Sequence, residues 1–546
     1  VVSTKWGDFK KTIPYSYQLI DGIEVEVKVE FELLEGTELA YGFKVIGNFN
    51  KDYDLIIDPV YIDWGSYFYG GGVNQNQQWT YSWTWVRDVD VDENNYVYIT
   101  GMTTDKFPTD PGWYDTSFNG NYDGFLCKMK FDGTDIEWFS YIGGSGWDYL
   151  VSIRVTDAGD VFAIGTSSST NFPITSNAYD KTNKNTTSSW WYGGSYVLMN
   201  MNTQGTKLKY STFLNTGTTS NNYYYSWWLY NYPIEVNEKG EVIVALNYQV
   251  GSLTLPVKSY LLPQAFYTNT NTFANSASII LKMSADGSSI LNSTLYGGAG
   301  NDAIFGLYLN DTGLLYIGSS TTSTNIPPTK GVPGFGTLPV GNGDGHIAIM
   351  DTGFTSFSVS KYIGGKGDDK IVALYGSNDG IYMLLETTST DILGYKSTAG
   401  GGIDAAVIKI RPDGIKAIWG TFLGGGNREI PKGITANVRE EVIIVGQTYS
   451  NNYPVTNDAL KKTAGSNWNW AYNGFLTKLD YSGQPIYSTY LGGSGVDFLM
   501  GVTTKRIGCV THIVVGGYTT STDFHVTDGA WRDTVRSNNN GWWYGG

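Results

Sequence analysis

One pattern recurs along this chain and limits what it can fold into: a short strand that runs from a polar edge into Gly-Gly. It appears at Gly70-Gly71, Gly143-Gly144, Gly297-Gly298, Gly364-Gly365, Gly424-Gly425 and Gly492-Gly493. A further copy, Tyr210-Ser211-Thr212-Phe213-Leu214, loses its glycines at Asn215. Gly70 and Gly492 stand 422 residues apart over six intervals, about 70 residues per repeat. A fixed period of this length means that each unit is one supersecondary piece that buries its faces against its neighbours.

The second unit shows the design. Asp148 to Val155 alternates and ends at the turn Asp157-Ala158-Gly159. Val161 to Gly165, Tyr196 to Met201 and Leu208 to Leu214 follow as short strands. Four short strands with Gly-centred turns make an antiparallel meander. Seven such meanders predict an all-β fold, a seven-bladed β-propeller of four-stranded antiparallel blades over residues 60–546. A solenoid is the alternative; it would need polar capping repeats at both ends, and the sequence shows none.

The last unit is expected to be incomplete. It has two strands, Val496 to Thr504 and His512 to Gly517, and the sequence stops at Trp542-Trp543-Tyr544-Gly545-Gly546, where other units begin their third strand. Tyr61 to Phe68 matches a fourth strand and would close the ring from the N-terminal side. The remaining strand would come from residues beyond 546, from residues 1–57 or from a neighbouring molecule.

Several motifs carry a family resemblance. The run Tyr487-Ser-Thr-Tyr-Leu-Gly-Gly-Ser-Gly-Val-Asp497, the pairs Phe172-Pro173 and Tyr453-Pro454, and the strand Gly474 to Lys478 resemble the SBBP-type propeller repeats of secreted and cell-surface proteins. The resemblance covers about residues 60–546 and implies the fold and an extracellular or cell-surface location. It implies no particular function, because that family is defined by its scaffold. Unit three departs from it by losing Gly-Gly, and unit five by Asp391-Ile392-Leu393 in place of the aromatic and Pro.

Residues 1–59 form a separate β-rich segment. Ile23 to Leu33 alternates without error and reads as one strand with a wet face, preceded by the hairpin signal Asp21-Gly22. Phe43 to Ile46 and Leu55 to Ile57 are further strands. The segment resembles the tail of the β-rich domain that precedes such propellers.

Hairpin alternation puts the tight first-to-second and third-to-fourth turns on one face of a blade. The long second-to-third loops and the connections between blades share the other face, and these are rich in aromatic residues. Trp190, Trp191 and Tyr192 lie in unit two, Trp468 and Trp470 in unit six, Trp542 and Trp543 in unit seven. Trp79, Trp83 and Trp85 lead into unit one, and Tyr224, Trp227 and Trp228 into unit three. Long loops on a rigid scaffold are where binding concentrates, and these rings are the candidate contact surface for a sugar or a protein partner. The Trp-Trp-Tyr-Gly-Gly run shared by units two and seven favours instead packing within the loops, since a repeated run points to scaffold.

Other chemistry is sparse. Asp148, Asp302, Asp369 and Asp497 occupy one blade position after Gly-Gly. Calcium is one use for them, but equal recurrence points to a bond that fixes the entry turn. Asp88, Asp90 and Asp92 read as a polar strand face. His346, His512 and His525 share no ligand spacing, and no nucleophile elbow or phosphate loop occurs. Cys127 and Cys509 fall on different strands of adjacent units, which argues against a disulfide. Asn185, Asn292 and Asn310 head glycosylation sequons. Net charge of −15 disfavours nucleic acid, and no run of 18 apolar residues could span a bilayer. The expectation is a non-enzymatic extracellular or cell-surface protein, without catalytic residues or a firm metal or cofactor site. It would act by assembly with copies of itself or with surface proteins; the alternative is a carbohydrate-binding propeller.

Overall fold

In the computed structural model of the protein, the residue that matters most after five of the Gly-Gly turns is an acid. The structure describes the chain outside residues 1, 5–6, 10–14, 21–22, 35–39, 54, 59–61, 71–82, 185–193, 215–231, 250–275, 327–339, 393–400, 466–471, 509 and 535–546. It divides into two compact units, residues 1–63 with 507–510, and 64–506 with 511–546.

The larger unit is a propeller. Six four-stranded antiparallel sheets each keep their strands in sequence order. Blade one comprises Thr84–Val91, Tyr96–Thr103, Asp123–Lys130 and Ile136–Ile142; blade two Asp148–Val155, Val161–Ser167, Ser195–Met201 and Leu208–Phe213. Blade three comprises Ile234–Val236, Val242–Gln249, Ser276–Met283 and Ile290–Tyr296; blade four Asp302–Leu309, Leu314–Thr321, Asp344–Asp351 and Phe357–Ile363. Blade five comprises Asp369–Gly376, Ile381–Thr387, Asp404–Ile410 and Ala417–Leu423; blade six Glu429–Ala436, Val442–Thr448, Asn473–Leu479 and Pro485–Leu491. Middle strands such as Val161–Ser167 and Ser195–Met201 are buried throughout, as strands covered on both faces must be.

The repeat count of seven is therefore corrected to six four-stranded blades. The seventh unit forms a two-stranded sheet, Asp497–Ile507 with Val510–Thr519. The strand expected over Tyr61 to Phe68 is absent, because no third strand among the described residues lies beside it. Trp64 to Gly70 nevertheless makes outer-strand contacts. The Tyr67 hydroxyl accepts from Phe524 N–H (3.2 Å) and donates to Ser521 O (3.0 Å). Tyr141 does the same with Phe107 N–H and Asp105 O, and Tyr490 with Tyr453 N–H and Ser450 O.

The Gly-Gly turn carries the chain from the outer edge of one blade to the first strand of the next. In five seams the second glycine's N–H donates to the acid that opens that strand: Gly144 to Asp148, Gly298 to Asp302, Gly365 to Asp369, Gly425 to Glu429 and Gly493 to Asp497, at 2.6–3.1 Å. A serine hydroxyl from beyond the second strand (Ser169, Ser323, Ser389, Ser450, Ser521) donates to the same carboxylate. Blade one exchanges the two partners: Thr84 stands at the acid position, and Gly70 N–H and the Thr84 hydroxyl both donate to Asp105. The turn-fixing bond expected for Asp148, Asp302, Asp369 and Asp497 is present, and Glu429 and Asp105 join the set.

Outer edges interlock by a second repeated contact. Gly205, at φ 65° in the third-to-fourth turn of blade two, lies against the Trp138 ring of blade one; a Cβ there would sit 2.3 Å from the ring. Gly133 meets Trp64, Gly287 meets Tyr210 and Gly483 meets Trp419 in the same way.

In the smaller unit Ile23 to Leu33 is not one strand. Ile23–Glu26 pairs with Tyr15–Ile20, which also pairs with Ile56–Asp58, whereas Val29–Leu34 pairs with Ala40–Val45 in another sheet. Unbroken alternation fixes which face is wet but not which partner each half takes. Ile20 pairs with Ile23; the expected turn residues Asp21 and Gly22 lie outside the described residues. Val2–Thr4 and Gly7–Phe9 form a third small sheet. Among the described residues no helix is long and apolar enough to cross a membrane.

Two substitutions separate packing from backbone strain. Gly205→Ala meets both the Trp138 ring and a left-handed backbone, whereas Gly529→Ala, at φ 81° with nothing within 4 Å, meets only the backbone cost of roughly 1–2 kcal/mol. Denaturant melts should show Gly205→Ala well below Gly529→Ala, with Trp138→Ala lower than wild type by about 3–5 kcal/mol. Equal midpoints for the two alanine variants would rule out the interlock.

Candidate functional site

First strands converge on the axis of the ring, and in five of the six blades they carry a β-bulge at one level. The pairing shifts between Val86 and Asp88, Leu150 and Ser152, Ile304 and Gly306, Ile371 and Ala373, and Pro431 and Gly433. A bulge leaves one residue out of the ladder and re-aims its side chain. The five bulged residues are Arg87, Val151, Phe305, Val372 and Lys432, so blades one and six alone put cations there.

Those cations belong to a cluster. Arg87 is 4% exposed and Lys432 8%. Burial pushes the Lys432 ammonium down to about 7, and the neighbouring charges of Arg87, Arg428 and Lys370 push the same way against Glu386. Burial likewise lowers Arg87 to about 10, with Tyr232, Asp88 and Tyr518 acting in its favour. Arg428, in the turn before blade six, reaches Glu386 at 3.1 Å, and Lys370 reaches the same oxygen at 3.8 Å. Glu386 Oε2 and Arg428 Nε are buried without a partner. Four cations thus share this end of the axis with the carboxylates of Glu386 and Asp88, in a chain of net charge −15.

Beside the cluster runs a column of rings. Trp83 stacks on Trp85 (6.0 Å, 12°), Trp85 on Tyr518 (5.2 Å, 9°) and Tyr518 on Phe498 (4.4 Å, 15°). Tyr472 and Tyr449 continue it at 4.7 and 4.0 Å. At the other end Trp83 meets Tyr122, which stacks on Trp147 at 4.9 Å. The column crosses the sixth, seventh, first and second units, the contiguous set in which the sequence concentrates its loop aromatics.

Of the expected contact residues, the structure places Trp83 and Trp85 in this column, where neighbouring rings engage the Trp85 faces. Trp79, Trp190, Trp191, Tyr192, Tyr224, Trp227, Trp228, Trp468, Trp470, Trp542 and Trp543 lie outside the described residues. The axial cations were missed because a bulge breaks the period of two by which strand faces are read. The signal that could have found them is a charged residue one place out of alternation, Val86-Arg87-Asp88 and Pro431-Lys432-Gly433. Cys127 is a buried free cysteine, and Cys509 lies outside the described residues.

Asp88, Asp90 and Asp92 do not share a solvent-facing surface. Asp88 accepts from Ile153 N–H (3.1 Å) and Asp90 from Val155 N–H (2.8 Å), tying blade one to blade two. Arg154 lies 3.8 Å from Asp88 and 3.7 Å from Glu235 of blade three. Asp92 instead takes the Tyr98 hydroxyl and Tyr96 N–H in the turn. Burial pushes Asp88 up to about 6 and Glu235 up to about 7, Arg154 opposing it in both. The axis is therefore cationic near the long-loop face and acidic towards the tight turns.

Residues 1–60 match a family described as a domain of unknown function, DUF7948. No curated protein matches the sequence. Among solved structures, the chain is similar to an ulvan lyase from a new family of polysaccharide lyase, with 8% identity over 85% of this chain and 94% of that one and a TM-score of 0.42. It is similar to the β-propeller domain of the Trilobed protease from Pyrococcus furiosus, with 8% identity over 84% and 99% and a TM-score of 0.38. An acylaminoacyl peptidase from Pyrococcus horikoshii gives 9% identity over 82% and 50%, with a TM-score of 0.38. At these values the likenesses say nothing about activity.

Carboxyls held above their unfolded values, about 4, favour the folded state when protonated. That contribution is complete below about pH 4 and is lost as pH rises through 6 and 7. The thermal midpoint should fall between pH 5 and pH 8, and Glu235→Gln should flatten the fall. An unchanged slope in the variant would show that Glu235 does not contribute.

Proposed function

We propose that this chain is a non-enzymatic binding propeller that acts outside the cell or at its surface and holds an acidic glycan at the axis on its long-loop face. One observation carries the reading: Arg87, Lys370, Arg428 and Lys432 gather beside stacked rings in an otherwise acidic protein. Burying like charges together costs several kcal/mol per ion unless opposite charge arrives. Uronate carboxylates would bring that charge, and ring edges and faces suit the apolar sides of sugars. The location rests on the likeness of the repeats to those of secreted proteins. The seventh unit, with Trp64 to Gly70 in the outer position, would make a seventh blade.

Calorimetry with polygalacturonate should show binding that a neutral galactan does not reproduce. Lys432→Met or Arg428→Met should each weaken it about tenfold, the scale of one lost charge-assisted bond. The affinity should fall as pH rises through 7, where Lys432, faced by Arg87, Arg428, Lys370 and Glu386, loses its proton. Equal binding of both polymers, or indifference to both substitutions, would sink this reading.

Assembly is a second reading, favoured by a different observation. Among the described residues Val510–Thr519 pairs only with Asp497–Ile507, whereas every other second strand is paired along both edges. An unpaired edge accepts a strand from another molecule. Light scattering over a wide concentration range checks it, and a monomer throughout would exclude it.

A further inference from the structure

The seams between blades hold a second set of acids, each with one carboxylate oxygen that has no donor. In blades one, four and five the third strand opens with Asp123, Asp344 and Asp404, which are 0%, 1% and 6% exposed. Asp123 Oδ2 accepts Asn119 N–H (2.8 Å) and Asp344 Oδ2 accepts Val340 N–H (2.6 Å). The Oδ1 atom of all three is buried without a hydrogen-bond partner.

Each Oδ1 points at the first glycine of the following Gly-Gly pair and at the acid beyond it. A Cβ on Gly143 would lie 2.4 Å from Asp123 Oδ1 and 3.0 Å from Asp148 Oδ2. On Gly364 the distances are 2.4 Å to Asp344 and 2.7 Å to Asp369; on Gly424, 2.1 Å to Asp404 and 2.9 Å to Glu429. Main-chain carbonyls complete the group. Gly146 O, Gly144 O and Asp123 Oδ1 all lie within 2.9 Å of the point where a Gly120 Cβ would stand, and Asn427 O, Gly425 O and Asp404 Oδ1 surround Gly401 likewise. The unpartnered Oδ1 atoms thus face carbonyls and an acid that already takes the Gly-Gly N–H, and acceptor against acceptor is costly in a buried place.

The sixth blade supplies an internal comparison. Its third strand opens with Asn473 instead of Asp, and the Lys461 ammonium sits in the seam, donating to Gly492 O (2.7 Å) and Gly493 O (3.0 Å). It lies 2.4 Å from where a Gly465 Cβ would stand, the counterpart of Gly120 and Gly401. Blade one has Asp115 at the place of Lys461: Tyr141 N–H donates to Asp115 O as Tyr490 N–H donates to Lys461 O. Where Lys461 provides a cation the second acid is gone; blades two and three, whose third strands open with Ser195 and Ser276, lack it as well, so the paired acids belong to blades one, four and five.

We infer that the seams after blades one, four and five each bind a calcium ion, held by Asp123 with Asp148, Asp344 with Asp369, and Asp404 with Glu429, together with the carbonyls of the Gly-Gly turn. The donors are all hard oxygens, carboxylate and carbonyl, in an irregular arrangement that suits calcium better than magnesium, which demands a near-ideal octahedron. No three His, Cys, Asp or Glu side chains among the described residues are grouped for a metal; each of these sites rests on two carboxylates and completes its shell from the backbone. Without the ion, burial and the facing acid raise Asp123 and push Asp344 up to about 6.

The test uses the whole chain, stripped with EGTA and dialysed. Calcium titration followed by calorimetry and elemental analysis should give three equivalents, and calcium chloride should raise the thermal midpoint where equal magnesium chloride does not. Asp123→Asn should leave two equivalents, and the pair Asn473→Asp with Lys461→Met should create a fourth. Absence of bound calcium with an unchanged midpoint would overturn the inference and leave a shared proton as the way these acids are tolerated. An equal response to magnesium would also overturn it. Should Asp123→Asn fail to fold, the wild-type stoichiometry still decides.

Discussion

The fold depends on one buried carboxylate at each of six seams, at the head of the first strand in blades two, four, five and six and the seventh unit and at Asp105 in blade one. Between the outer edge of one blade and the axis of the next the chain must cross the full width of a sheet, and little along that path is regular. The buried acid gathers the Gly-Gly N–H from the crossing and a serine hydroxyl from its own blade. Bonds to an ionised acceptor are about twice as strong as neutral ones and directional, so they fix both the depth and the register of the first strand. Apolar contact alone would tolerate a slip. Glycine is required because the crossing lies directly on the carboxylates, within about the length of a bond plus a van der Waals gap. The exchange of Asp and Thr between positions 84 and 105 in blade one keeps the bond while reversing its donor and acceptor, which shows that the pair, not either residue, is what the seam requires.

The seams around the seventh unit add stacked rings to the acid bond. That unit contributes two strands in place of four, and its neighbours are joined to it by stacked rings. Trp85 of blade one stacks on Tyr518, Tyr518 on Phe498, and Phe498 meets Tyr472 of blade six. Each such ring buries about 150–250 Å², a large area for a joint between thin sheets. Gly501 and Gly516 let the unit's backbone come close to Val89 and Asp88 of blade one. Of the aromatics that look like a binding surface in sequence, Trp83 and Trp85 thus take part in joining the seventh unit to blade one.

Most of the architecture was legible because repetition converts weak local signals into a strong one. Strand limits in blade two and the two strands of the last unit match their sequence patterns closely. The count of complete blades was not legible, because a repeat marker counts crossings rather than completed sheets; Trp64 to Gly70 carries the outer-strand contacts without a ladder. The splitting of Ile23 to Leu33 between two sheets was equally hidden, since alternation is silent on pairing. The axial cations escaped because bulges at Arg87 and Lys432 interrupt the alternation that defines a face.

In a repeat protein the informative residues are those that break the repeat. Asp148, Asp302, Asp369 and Asp497 recur and hold the scaffold. The bulge level is apolar at Val151, Phe305 and Val372, and only Arg87 and Lys432 depart from it, on the two blades that flank the incomplete unit. Lys461 departs in the same sense, replacing an acid position with a cation and removing the second acid beside it. Scaffold needs are equal in every blade, so a charge that appears in only one or two of them answers to something the scaffold does not supply. At the axis the proposed acidic glycan would answer to it. In the seams the logic inverts, and the blades that carry a second acid, one, four and five, are those proposed to take a cation.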